Sequence, residues 1–219
     1  MDYLALNFAY NMDCLEGIKQ VRSNSVQLIV ADPPYFLGMT SNGKKGSFSD
    51  LNICKPFYAQ LFSEFDRVLV EGGEVYLFCD WRSVAFYQPI FSAVLEMKNC
   101  LVWNKGFGRV NYCYCSSHEF LLFAVKGTAS HKHYVPIILD IKGYSSRGDK
   151  ATIHGTEKPL DLIEYLVTQS SNKGEVVLDP FLGSGTTAVA CQKLRRSFIG
   201  FELDSKNFDI IEKRLTAKK

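Results

Sequence analysis

The 219-residue chain lacks several things that would each have settled its class. It has no apolar run near the ~18 residues that a membrane-spanning helix needs. Its opening, MDYLALNFAY, has no basic lead into an apolar stretch, so it does not read as a secretory signal. It has no internal repeat and no low-complexity tract. Its seven cysteines are an odd number without a signal, so they read as reduced thiols and the expected compartment is the cytoplasm. A net charge of +2 is too mild to name a partner, and 47% hydrophobic with 22% charged residues is ordinary globular usage. At roughly 100–200 residues per domain, the length predicts one domain over 1–219.

Charge is unevenly placed. Residues 104–158 carry eight basic and four acidic side chains, leaving the rest of the chain at −2, and all four histidines lie there. A basic stretch with aromatic residues suits a phosphate backbone, or else is a solvated surface.

Short apolar runs alternate with helical patterns, which predicts α/β architecture with a largely parallel sheet. Strands are expected at Leu4–Phe8, Val26–Ala31, Glu74–Cys79, Leu101–Trp103, Glu119–Val125, Val176–Leu178 and Phe198–Glu202. Helices are expected at Pro56–Leu69, closed by Gly72-Gly73, and at Val84–Met97, from Pro159, over Thr187–Leu194 and over Asn207–Leu215. Residues 36–49 and 126–154 read as loops.

The run QLIVADPPYF places Asp32, Pro33, Pro34 and Tyr35 at the C-terminal end of a buried strand, the edge where open α/β sheets bind ligands. Two prolines stiffen the turn and leave only carbonyl acceptors. Asp32, with a reference pKa of about 3.9, adds an ionised acceptor, and Tyr35 adds a stacking face. Two acceptors and a ring suit an exocyclic amino group on a nucleobase. Holding both N–H bonds frees a lone pair otherwise delocalised into the ring, and fixed dipoles stabilise the charge that develops. The plainer reading is a strand-ending Asx turn with a core tyrosine.

The run EVVLDPFLGSGTTAVA reads strand, glycine turn, helix. Gly183, Gly185 and Ala188 fit G-x-G-x-x-G/A, and Glu202 follows Gly183 by nineteen positions, as in a nucleoside-binding fingerprint. No lysine follows Gly185, so this is no P-loop. Asp179 would repel a pyrophosphate but suits an ammonium. The mixture fits S-adenosylmethionine, with its sulfonium, ammonium, carboxylate and ribose, better than a dinucleotide. No cysteine follows a proline, which disfavours methylation at cytosine C5.

Together the two motifs resemble the amino-group DNA methyltransferases, which act on adenine N6 or cytosine N4. Asp32-Pro33-Pro34-Tyr35 is similar to their catalytic motif, and Phe181-Leu182-Gly183-Ser184-Gly185 to their cofactor turn. The catalytic motif comes first, as in the circularly permuted β class. Asp13, Trp103-Asn104-Lys105, His118-Glu119-Phe120, Lys158-Pro159 and Phe201-Glu202 lie in further similar segments. Met12, Gly155 and Glu157 depart from the pattern.

The resemblance implies a Rossmann-like S-adenosylmethionine-dependent fold: a mostly parallel seven-stranded sheet with one antiparallel strand. Catalytic residues would be Asp32, Pro33, Pro34 and Tyr35. Cofactor residues would be Asp13, Asp32, Lys158, Asp179, Phe181, Gly183, Ser184, Gly185, Thr186, Thr187 and Glu202. The implied reaction is direct methyl transfer to adenine N6 in double-stranded DNA after base flipping, with cytosine N4 as the alternative. A nicotinamide-dependent oxidoreductase and a catalytically silent DNA-binding subunit are more distant readings. Candidate DNA contacts are Lys44, Lys45, Lys105, Arg109, His118, Lys132, Lys142, Arg147 and Lys150, with residues 126–153 as a short target-recognition insertion. A homodimer and a cognate restriction endonuclease are the implied protein partners. Cys113, Cys115 and His118 read as ordinary side chains rather than metal ligands, and His131 and His133 as surface residues.

Overall fold

A computed structural model describes residues 3–34, 40–41, 44–45, 51–111, 114–129, 131, 133–142 and 157–216. In chain order the strands are β1 (Phe8–Asn11), β2 (Val26–Ala31), β3 (Thr40–Ser41), β4 (Lys44–Lys45), β5 (Leu69–Cys79), β6 (Glu96–Asn111), β7 (Tyr114–Val125), β8 (Ile138–Leu139), β9 (Val176–Asp179) and β10 (Ser197–Glu202). The helices are α1 (Cys14–Ile18), α2 (Leu51–Val68), α3 (Val84–Phe91), α4 (Leu160–Ser170), α5 (Thr186–Leu194) and α6 (Ser205–Thr216). The main sheet has the order β1-β10-β9-β2-β5-β7-β6-β8, and β3 and β4 form a separate two-stranded ribbon.

Strands β1, β10, β9, β2 and β5 pair in parallel. Only β7 runs against its neighbours in the main sheet, pairing antiparallel with both β5 and β6. The expected single antiparallel strand is therefore present. Among the described residues the expected seven strands of the main sheet become eight, because two-residue β8 joins the edge of β6.

Every residue of β2 is buried, as a strand covered on both faces requires. Its alternation divides two cores. Ile29 and Ala31 pack with α2 and α3 on one face, while Leu28 and Val30 pack with α4 and α5 on the other.

The chain leaves the sheet centre in two directions: from β2 outward to β5, and from β9 outward to β10 and β1. Neighbours β2 and β9, some 150 residues apart in sequence, meet through Leu28↔Val177 and Ile29↔Leu178. Such a reversal opens a crevice at the carboxyl ends of the two strands. Both sequence motifs end there.

Several boundaries differ from expectation. The first strand begins at Phe8 rather than Leu4, because Asn7 turns the chain at φ 65°. Helix α2 stops at Val68 without the glycine pair. Gly72 and Gly73 lie inside β5, exchanging backbone hydrogen bonds with Lys126. Helix α3 ends at Phe91 instead of Met97, since pairing of Glu96 with Val125 draws the following residues into β6. His131 and His133 are not simple surface residues. Both cover the fully buried Glu74 carboxylate, His133 at 3.0 Å, and that contact raises the His133 pKa.

Candidate active site

Asp32 caps the end of β2, followed by buried Pro33 and exposed Pro34. Its Oδ2 lies 2.5 Å from Lys158 Nζ. Lys158 precedes Pro159, the N-cap of α4, so a helix on one face of the sheet delivers a cation to the rim. The same Nζ lies 3.5 Å from Glu119 Oε2 on β7, and Lys105 of β6 holds the other Glu119 oxygen at 3.2 Å. Below the pair, Nζ of Lys158 sits 5.1 Å from the Phe78 ring centre. Burial lowers the Lys158 pKa, but attraction by Asp32 and Glu119 outweighs it and the net shift is upward.

Across the crevice, β9 ends in buried Asp179. The Phe181 N–H donates to its Oδ1 at 2.9 Å, and the Thr187 hydroxyl also bonds it. Burial nevertheless pushes this carboxyl up to about 7, with Asp32 and Glu202 adding to the rise. A carboxyl so placed favours a positively charged ligand that would bring it back to its ionised form.

The glycine turn follows. Gly183 and Gly185 have φ of 55° and 86°, a region that L side chains rarely adopt, and Gly185 caps α5. A Cβ on Gly185 would also stand 3.1 Å from Ile211. The Gly183 N–H donates to Glu202 Oε2 at 2.8 Å, and the Asp204 N–H donates to Oε1 at 2.8 Å. The acid at the end of β10 thus fixes the turn. A carboxylate offers about four lone-pair sites, so two remain for the hydroxyls of a ribose. Asn11, at the end of β1, pairs with Glu202 in register and donates to its carbonyl. Asp13, two residues on, caps α1 by accepting from the Leu15 and Glu16 N–H groups at 2.9 and 3.2 Å.

The hydroxyls of the turn face inward. Arg214 of α6 donates to the Ser184 carbonyl at 2.9 Å, the Ser184 hydroxyl at 3.1 Å and the Thr186 hydroxyl at 3.3 Å. It also pairs with the buried Glu157 at 3.1 Å. Ser184, Thr186 and Thr187 therefore brace the turn from within. A buried carboxylate, an acid with acceptor capacity to spare and a glycine turn open to close approach together fit the ammonium and ribose of S-adenosylmethionine.

A family model described as a DNA methylase, of the N6/N4 type, matches residues 26–213. The chain belongs to the N6-adenine/N4-cytosine DNA methylase family. It is similar to the type II methyltransferase M1.MboII of Moraxella bovis, 28% identical over 93% of this chain and 94% of that protein. It is similar to the DNA adenine methyltransferase YhdJ of Escherichia coli, 27% identical over 93% of this chain and 80% of that protein. The solved M1.HpyAVI complex with S-adenosylmethionine matches with a TM-score of 0.70 and 26% identity, covering 95% of this chain and 98% of that one. S-adenosylmethionine is the methylase's cofactor, and the nicotinamide reading has no support.

The remaining expectations divide. In the methylase, Lys105 is engaged with Glu119, His118 is exposed beside Phe120, and Lys142 is exposed. Tyr35, Lys132, Arg147 and Lys150 lie outside the described residues, as do the side chains of Lys44, Lys45 and Arg109. Cys113 is outside them too, and Cys115 is an exposed thiol. Three residues of the site had no individual role in the motif reading: Glu119 and Glu157, which lay only within segments similar to the family's, and Arg214, which lay in none. For Glu119 a signal existed, an acid opening the apolar run FLLFAV. For Arg214 none did, because thirty positions separate it from Ser184.

Proposed function

We propose that this methylase transfers a methyl group from S-adenosylmethionine to the exocyclic N6 of adenine at specific sites in double-stranded DNA. One observation carries the reading. The acceptor corner at Asp32-Pro33 and the glycine turn at Gly183–Gly185 end two hydrogen-bonded parallel strands, so a base and a cofactor would meet in one crevice.

The Asp32 carboxylate and the Pro33 carbonyl accept the two N–H bonds of the amino group, drawing nitrogen toward a tetrahedral shape. When bound, S-adenosylmethionine would supply an electrophilic methyl group, with its sulfur as the leaving group, to the nitrogen lone pair that Asp32 and Pro33 free. Asp32 stabilises the positive charge on nitrogen until one proton leaves to water. Asp179 holds the ammonium of the cofactor, Glu202 its ribose and Asp13 its adenine side. Base flipping exposes the amine, with Tyr35 as its stacking face by resemblance to the family.

Asp as the first motif residue and the adenine specificity in YhdJ's name support adenine over cytosine. Exposed Lys142 and His118, with the segment 126–153, are assigned to DNA contact and target choice. A second copy of the chain and a restriction endonuclease are the protein partners this reading implies.

Mass spectrometry of nucleosides, with mapping of modified bases, in DNA from cells making the protein tests all of this. N6-methyladenine at a fixed sequence is expected. N4-methylcytosine would transfer the assignment to the alternative base, and unmodified DNA would favour a silent DNA-binding subunit.

A further inference from the structure

Glu119 has no part in the mechanism above, yet its side chain is only 16% exposed and two ammonium groups converge on it. One belongs to Lys158, which also contacts Asp32. A single ammonium is therefore shared by a carboxylate just past the end of β2 and one on β7.

The sharing sets up a conflict. Asp32 Oδ2 already accepts from Lys158 at 2.5 Å, and Asp32 is the acceptor assigned to the target amine. An ammonium makes the stronger, charge-assisted hydrogen bond, so a neutral amino group loses that competition while Lys158 stays. The reacting nitrogen also becomes positive, and a neighbouring ammonium opposes that charge.

We propose that Glu119 is a positioning residue offering a second seat for Lys158: when the target amine reaches Asp32, Nζ shifts its contact from Asp32 to Glu119. This rests on the assignment of Asp32 above.

Four features of the surroundings suit such a shift. The Lys158 backbone is held on both sides, by the buried Glu157–Arg214 pair before it and by Pro159 capping α4 after it. Motion is then confined to the flexible four-carbon stem of the lysine. The Phe78 ring at 5.1 Å gives the cation an attractive floor as it moves. Lys105, itself 5.9 Å from the Trp103 ring, fixes Glu119 from the far side, so the carboxylate does not follow Lys158 toward Asp32. With two carboxylates at hand, Lys158 stays charged in either seat.

Single-turnover methyl transfer at saturating DNA and cofactor provides the test, with cofactor affinity measured in parallel. Glu119→Gln is expected to slow transfer on the order of 10–100-fold while cofactor affinity stays within about twofold. Glu119→Asp, whose carboxylate falls short of Nζ, is expected to be intermediate; it decides the matter should the Gln variant fail to fold. In a Lys158→Met background, Glu119→Gln should have no further effect, because nothing remains to be seated. A wild-type rate in Glu119→Gln or in Glu119→Asp overturns the proposal. So does a Glu119→Gln loss of equal size with and without Lys158. If wild-type protein transfers no methyl group, or if Asp32→Ala transfers normally, the Asp32 assignment fails instead.

Discussion

Two aspartates end neighbouring strands of the same sheet, and their surroundings are opposite. Asp32, just past the end of β2, is paired with the ammonium of Lys158. Asp179, on β9, is buried against the Phe181 N–H and the Thr187 hydroxyl, and its carboxyl is pushed up to about 7. A built-in cation faces the first carboxylate. The second lacks that compensation, which a cationic ligand would supply. Burial of Asp179 therefore costs stability when it is ionised, and in the glycine turn beside it the Gly183 N–H is already bonded to Glu202.

Substitutions sharpen the contrast. Asp32→Asn removes one of the two carboxylates beside the buried Lys158 ammonium, and should cost about 2–3 kcal/mol in denaturant unfolding at pH 7. Asp179→Asn should do the reverse. Asp179 holds its proton up to about pH 7 in the folded protein, against 3.8 as its ordinary value. The folded state therefore binds more protons between those values, so this group makes stability fall as pH rises from about 4 to about 7. Removing it should flatten that slope and leave the cofactor-free protein more stable than the wild type at pH 8. Cofactor affinity, measured by calorimetry, should rise with pH through 7 in the wild type and lose both strength and that pH dependence in Asp179→Asn. If both substitutions shift stability in the same direction, the contrast is broken.

A smaller effect is expected at Arg214, which serves the Asp179 side through the turn and the Lys158 side through Glu157. Arg214→Ala should raise the cofactor KM by about tenfold, the effect of roughly 1.4 kcal/mol, and Arg214→Lys should recover part of it. An unchanged KM would confine Arg214 to general stability.

Much of this was legible in the sequence where chemistry is local. The all-buried β2, the turn at Gly183–Gly185 and the spacing to Glu202 follow from periodicity, glycine's backbone freedom and strand–turn–helix order. What was missed depends on distant partners. Helix α1 is five residues long, too short to show a period, and is fixed by the Asp13 cap. Strand β8 exists only through pairing with Val102 and Trp103, whose indole N–H donates to the Ile141 carbonyl at 2.7 Å. His133 looked solvent-facing because its partner, Glu74, lies fifty-nine positions earlier. The Asp32–Lys158–Glu119 chain joins three separate stretches, and no single window of sequence contains it.

The central claim is that the Asp32 carboxylate activates the target amine. Single-turnover transfer of labelled methyl groups to duplex DNA by Asp32→Ala, with cofactor affinity measured on the same preparation, tests it most directly. A fall on the order of 10²–10³ in transfer, with cofactor binding retained within a few fold, is predicted. Near-normal transfer by that variant would contradict it.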